Sequence, residues 1–203
     1  MIMLLQSIVG KTMKLLFITT NKHKVEEIQK ALEPYGIIVE QRSQSYHENH
    51  DDSIEEIAAK AAKQLAEELQ QPVMVDDSGV FFSAYPCFPG AIPKIAFNGL
   101  GYEGLLKLLE GKTGKEREAV FVSCIGYCEP GKDPHVFRGE LKGIVIDHVE
   151  DLDKDVLAYD RIVVPEGDTR TVSKLSIEEK NAISQRAKAA EALAHYLLES
   201  RKL

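Results

Sequence analysis

Two adjacent carboxylates, Asp76 and Asp77, follow the apolar run Val73–Val75 and lead into Ser78 and Gly79. Neighbouring carboxylates are costly unless a cation or hydrogen-bond donors meet them. Mg2+ favours such hard oxygen ligands and fills its other positions with water and substrate phosphates. The motif reads as the end of a strand at a chain reversal. A plain polar turn, with Asp77 bonding the Gly79 N–H, is the competing reading.

A second group, Thr19-Thr20-Asn21-Lys22-His23-Lys24, joins the first predicted strand to the first predicted helix. Such a turn offers backbone N–H groups and the positive end of the helix dipole to an anion. Thr20 and Asn21 can add side-chain donors, and Lys24 a full charge for a phosphate. An ordinary N-cap with solvated lysines explains the segment equally well, because it lacks the glycines of a phosphate-binding fingerprint. Gly111-Lys112-Thr113 has no glycine-rich lead and is set aside. Glu48 sits among His47, His50, Asp51 and Asp52. A zinc site would need further ligands that spacing does not supply, so His47 and His50 read as solvated. Tyr159-Asp160-Arg161 and the segment from Lys180 to Arg186 complete the set. Lys180 and Ser184 share one helix face.

The elements that must position these groups alternate in type. Leu15–Thr19 reads as a buried strand, and Lys24–Leu32 as a helix with Val25, Ile28, Ala31 and Leu32 at helical spacing. Ile37–Glu40 is a short strand. Ser53, with Glu56 as capping-box partner, opens a long helix to about Leu69. Val73–Val75 is a strand, Val80–Phe82 continues extended, Tyr85–Pro93 is a structured loop and Gly101–Leu109 a helix. Ala119–Tyr127 and His135–Ile146 alternate on either side of the turn Glu129–Lys132 and read as an antiparallel hairpin. An acidic loop spans His148–Asp155. Arg161–Val164 is a strand, and Ile177–Ser184 and Ala187–Arg201 are helices. The expected fold is one elongated α/β domain with a mixed, partly antiparallel central sheet flanked by helices, forming two lobes around a cleft.

Composition agrees with a folded chain. There are 203 residues, 44% hydrophobic and 28% charged, ordinary for a globular protein and long enough for a substantial core. The net charge of −7 argues against duplex nucleic acid as a partner. No apolar run approaches the ~18 residues that span a bilayer. Three cysteines, Cys87, Cys124 and Cys128, suit a reducing cytoplasm better than a disulfide framework. Cys124 and Cys128 read as buried thiols on one strand face. Met1–Thr12 is expected to be a flexible extension ahead of a domain at residues 13–203.

Together the segments resemble the inosine triphosphatase family over about Met13–Leu198. Thr19, Asn21, Lys24 and Glu27 match its opening motif. Glu48 falls at its metal-binding Glu, and Asp76-Asp77-Ser78-Gly79 matches its acidic motif. Pro89-Gly90 and Phe137-x-Gly139-x-x-x-Gly143 also match. So do Tyr159-Asp160 and the run from Glu179 to Arg186. The resemblance implies Mg2+-dependent hydrolysis of aberrant purine nucleoside triphosphates, of the inosine or xanthosine type, to monophosphate and pyrophosphate. It implies that Thr19, Thr20, Asn21 and Lys24 hold the triphosphate and that Ser78 contacts substrate. Glu48 and Asp77 would hold Mg2+, with Asp77 also the base for the attacking water. Leu157, Tyr159, Asp160, Lys180, Gln185 and Arg186 would line the nucleoside pocket. A homodimer is implied as well; charge and the apolar pattern give no expectation of nucleic-acid or membrane partners.

Three departures fall at the base-reading end. Val156-Leu157-Ala158 replaces Gly-Phe-Gly, so aromatic stacking on the base is lost. Gln185 replaces a His, and Ser173-Lys174 replaces Ala-Glu. Two other functions remain open on sequence: a non-enzymic nucleotide binder or sensor with the same fold, and a pyrophosphatase for a different modified nucleotide.

Overall fold

The computed structural model describes residues 12–46, 49 and 51–200. The opening residues 1–11, His47, Glu48, His50 and the last three residues lie outside the described set.

Strand β1 (Met13–Ile18) buries Leu15, Phe17 and Ile18. Helix α1 (Lys22–Leu32) starts two residues earlier than its apolar spacing predicts, because Asn21 caps it. Strand β2 (Ile37–Arg42) pairs parallel with β1. Helix α2 (Ile54–Leu69) opens with the predicted Ser53–Glu56 capping box and buries Ile54, Ile57, Ala58, Ala61 and Leu65.

Strand β3 (Val73–Phe82) corrects the sequence reading. The Asp76–Gly79 motif is not at a strand end; it lies in the middle of a ten-residue strand. Its register explains why. From Val73 to Phe82 every residue is matched by β5 (Glu118–Cys128), so the ladder carries the motif through what local composition marks as a break. The two-residue β4 (Pro89–Gly90) also pairs with β3, inside the expected loop. Helix α3 (Pro93–Leu108) begins well before the predicted Gly101 and kinks there, where φ is 60°.

Strands β5 and β6 (His135–Val145) form the predicted hairpin, and β7 (Val163–Pro165) joins its far edge. Arg161, expected in that last strand, belongs instead to a 3-10 turn over Ala158–Arg161. Its guanidinium is drawn back to the Asp151 carbonyl and the Tyr102 hydroxyl. Helices α4 (Ile177–Ile183) and α5 (Gln185–Ser200) follow.

The sheet is open and mixed, in the order β2-β1-β3-β5-β6-β7 with β4 beside β3. Only β2, β1 and β3 run parallel. One core lies under α1 and α5, around Phe17, Ile28 and Leu193. A second lies under α2 on the opposite face and takes in Cys124 and Cys128, both buried as expected. A third, around Phe82, Phe121 and Tyr159, fills the far half of the molecule. The long strands β3, β5 and β6 run through both halves, which fits the expected two-lobed layout. Among the described residues no helix is long and apolar enough to cross a membrane.

Two glycines let helices reach the sheet. A Cβ at Gly126 would lie 2.2 Å from the Ala58 carbonyl oxygen of α2, and one at Gly139 would lie 2.0 Å from the Gln185 carbonyl oxygen of α5. Gly139 therefore sets how closely the start of α5 approaches β6.

Candidate functional site

The site forms where the ends of α1 and α5 meet the middle of β3. At the end of β1, Thr19 is buried and its Oγ1 accepts from the Asn21 N–H at 3.2 Å. Asn21 Oδ1 accepts from the His23 and Lys24 N–H groups at 3.0 and 3.4 Å. Two of the amides that could face an anion are thus already used by the cap, and Asn21 acts there as an acceptor rather than a donor. Thr20 is exposed beside them.

Lys24 turns inward from α1. Its Nζ donates to the Asp76 carbonyl at 2.6 Å and lies 3.0 Å from Asp76 Oδ2. Asp76 is buried beneath it. Ser123 of β5 donates to Asp76 Oδ1, and Ser78 donates to Oδ2 at 3.1 Å. Arg186 Nε donates to Oδ2 at 3.0 Å. Burial alone would push the Asp76 carboxyl up; Lys24 and Arg186 overcome it and hold it at about 2.

Arg186, at 1% exposure the most deeply buried cation described, spreads its donors over three groups. Besides Asp76 it reaches Glu27 Oε2 at 2.5 Å and Ser78 Oγ at 3.1 Å. Glu27 in turn accepts from Lys180 at 2.7 Å, and Lys180 donates to Asp160 at 2.6 Å. Charges therefore alternate along one buried chain: Lys24, Asp76, Arg186, Glu27, Lys180, Asp160. Burial opposes ionisation of Glu27, but Arg186 and Lys180 hold its carboxyl below the usual range. At Asp160 burial wins and raises the carboxyl. Isolated buried charges would cost several kcal/mol each, so alternation is what makes this cluster tolerable.

Asp77 is buried on the other face of β3, because successive strand residues point opposite ways. Gly79, two residues on, shares that face. A Cβ there would lie 2.4 Å from Ile54 Cδ1, so α2 begins close beside Asp77. The loop that leads into α2 carries Glu48, which is outside the described residues. Among the described residues no group of three or more His, Cys, Asp or Glu is placed to hold a metal ion.

At the far end, Leu157 is half-buried just before the 3-10 turn. Tyr159 is packed against Phe82 and Phe97, and its hydroxyl donates to the Pro93 carbonyl at 3.0 Å. Burial pushes that hydroxyl up. Gln185 is 7% exposed, and its Oε1 has no hydrogen-bond partner among the described residues. Ser184 caps α5, accepting from the Ala187 N–H. The replaced pair Ser173-Lys174 has its own partners: Ser173 donates to Asp151 and Lys174 to Glu150, fastening the acidic loop.

The fold thus brings Lys24, Ser78, Asp160, Lys180 and Arg186 into one connected cluster. Asp76, which the sequence offered only as half of a carboxylate pair suited to a cation, joins it as well, as do Glu27 and Ser123, to which sequence reasoning gave no role. Glu27 carried a signal, since it lies on the buried stripe of α1 beside Ile28. A carboxylate there demands a cation.

The Ham1 family profile matches residues 15–196. The chain belongs to the Ham1 family. A dITP/XTP pyrophosphatase of Methanopyrus kandleri is 45% identical over 184 residues, covering 91% of this chain and 96% of that one. A dITP/XTP pyrophosphatase of Thermococcus kodakarensis is 40% identical, covering 94% of this chain and 100% of its own. Among solved structures, a HAM1 protein from Coxiella burnetii superimposes with a TM-score of 0.74 at 25% identity, over 92% of this chain and 99% of that one. The family resemblance and the α/β fold read from the motifs are both borne out, and the Ham1 match covers nearly all of the described chain.

Proposed function

We propose that this Ham1 protein hydrolyses aberrant purine nucleoside triphosphates, of the inosine or xanthosine type, to the monophosphate and pyrophosphate. The observation that carries the reading is the meeting of Lys24 and Arg186 on Asp76. It joins the helix start suited to phosphates, the acidic strand and the base-reading segment in a single site. Relatives named as dITP/XTP pyrophosphatases support it.

In this reading water attacks the triphosphate, the α–β anhydride bond breaks and pyrophosphate leaves. Asp77 accepts the proton of the attacking water. Phosphoryl chemistry of this kind needs positioned water and neutralised charge more than a strong protein nucleophile. Lys24 meets the triphosphate with Thr19, Thr20 and Asn21. An ammonium has three donors; two face Asp76, which leaves one direction for phosphate. Ser78 contacts the substrate, and Leu157, Tyr159, Asp160, Lys180, Gln185 and Arg186 line the nucleoside pocket.

The donor set fits Mg2+. It consists of a carboxylate or two, which is how proteins hold that ion when water and phosphates complete its shell. Asp77 and Glu48 would hold it, and once bound it would neutralise charge on the triphosphate. We further expect a cytoplasmic homodimer.

The departures at the base end favour weakened discrimination. A flexible amide offers both donor and acceptor, so Gln185 can meet a 6-oxo or a 6-amino purine. The test is Mg2+-dependent pyrophosphate release from inosine, xanthosine, deoxyadenosine, thymidine and guanosine triphosphates, with Asp77→Asn as control. Release that needs Asp77 supports the enzyme. Nucleotide-dependent thermal stabilisation without release would instead favour a binder.

A further inference from the structure

We propose that Asp76 is a positioning residue for the hydrolysis described above, holding the phosphate-facing Lys24 and the base-facing Arg186 on one shared carboxylate. The inference rests on that functional reading and deepens it.

The geometry argues for more than charge balance. A lysine side chain is a flexible four-carbon stem carrying a point charge, and it costs entropy to hold still. Lys24 is held at two places on one residue, the Asp76 carbonyl and its Oδ2. The Asp76 carboxylate is itself fixed from three sides. Ser123 approaches from the neighbouring strand, Ser78 from two residues along β3, and Arg186 Nε from the start of α5. Ser78 also accepts from Arg186 Nη2, so these two of the donors to Oδ2 brace each other. Asp76 therefore cannot swing to follow Lys24; the lysine must come to it.

The consequence is a rigid link between two ends of a long ligand. The ammonium that meets phosphate and the guanidinium at the base end are registered against the same oxygen, Asp76 Oδ2. A misplacement of about 1 Å at a reacting group is enough to cost on the order of 100-fold in rate. Asp76 touches neither phosphate nor base in this scheme and acts through the cations it holds.

The test is a double-mutant cycle on the full-length protein with Mg2+. It follows the KM for inosine triphosphate and the Kd for inorganic tripolyphosphate. Lys24→Met is expected to weaken both by roughly 10- to 100-fold, the usual range for one charged contact. Asp76→Asn is expected to weaken tripolyphosphate binding by about 10-fold or more, and the double variant to be no worse than Lys24→Met alone, because the two act as a unit. A purely structural carboxylate gives a different result: the two losses multiply, or Asp76→Asn leaves tripolyphosphate binding within about twofold of wild type. Either result overturns the proposal.

If Asp76→Asn does not fold, Ser123→Ala replaces it, since it keeps the charge and removes one support of Oδ1. A several-fold weakening of tripolyphosphate binding that vanishes in the Lys24→Met background supports the positioning role. Unchanged binding reduces Asp76 to a folding residue. The functional reading fails separately. If the wild type releases no pyrophosphate but the cycle stays non-additive, the positioning role stands without the hydrolysis. If the wild type also fails to bind tripolyphosphate, both fall.

Discussion

Asp76 and Asp77 are adjacent in the chain and sit on opposite faces of the same strand, in different chemistry. Asp76 faces α1 and α5 and is claimed by Lys24 and Arg186. Asp77 faces the side on which α2 begins, as the approach of Gly79 to Ile54 marks. Their substitutions should therefore fail differently. Asp77→Asn is expected to lower turnover by about 100- to 10,000-fold, the range for losing a general base. Its melting temperature should stay near that of the wild type. Steady-state pyrophosphate release and calorimetry on the same sample check both.

Removal of the metal should abolish turnover without unfolding the chain. Dialysis against a chelator is expected to stop pyrophosphate release, and added Mg2+ to restore it. Recovery by Zn2+ but not by Mg2+ would contradict the oxygen-donor site.

Glu27 makes acid stability measurable. Arg186 and Lys180 hold its carboxyl below the ordinary glutamate value of 4.5. A depressed carboxylate adds stability that is fully present above its unfolded pKa and is lost as pH falls through its folded one. Asp160, which is raised, works in the opposite direction and partly offsets the loss. Glu27→Gln, which strands two buried cations, should cost about 3–5 kcal/mol at pH 7. The gap to wild type should shrink as the pH is lowered below 4.5. Urea unfolding at a series of pH values reads this directly, and a gap independent of pH would contradict it.

Gln185 should set the selectivity for the base. Its Oε1 is buried without a hydrogen-bond partner among the described residues, a state that costs about 1–3 kcal/mol until a ligand supplies a donor. Gln185→His is expected to raise the preference for inosine over adenosine triphosphate by about 10-fold, within the range one such contact allows. The ratio of the two kcat/KM values decides it. A wild type that already prefers inosine several hundredfold would leave Gln185 no part in relaxing selectivity.

Gly139 should be intolerant of any side chain. An added Cβ would stand 2.0 Å from the Gln185 carbonyl oxygen and 2.9 Å from the Ala189 nitrogen. Both are backbone atoms, so α5 itself must move. Gly139→Ala is expected to cost at least ~2 kcal/mol and to weaken nucleotide binding, because Gln185 and Arg186 ride on that helix. Thermal melts with and without inosine triphosphate separate the two effects.

Local signals carried much of the fold. The Ser53–Glu56 box, the stripes of α1 and α2 and the alternating hairpin were legible because they depend on neighbours within a few residues. The same holds for the cap at Asn21, whose partners are two and three residues away. The Asp76–Gly79 motif misled for the same reason: its polar, glycine-containing composition signals a turn, yet β5 supplies a hydrogen-bonding partner along its whole length.

The sequence by itself determined the family and the alternation of strands and helices, and it supplied the groups proposed here for phosphoryl chemistry. Residue type and order suffice for those. It could not determine that Lys24, Asp76, Arg186, Glu27, Lys180 and Asp160 form one buried chain, because its links span up to 159 residues of separation. No local pattern encodes such pairings; they arise only when the packing of α1, α4 and α5 against the sheet excludes water and leaves each charge no partner but the next. Tertiary structure alone also decided that two adjacent aspartates would meet different surroundings, since which face of β3 is covered by α2 and which by α5 is a property of the folded sheet.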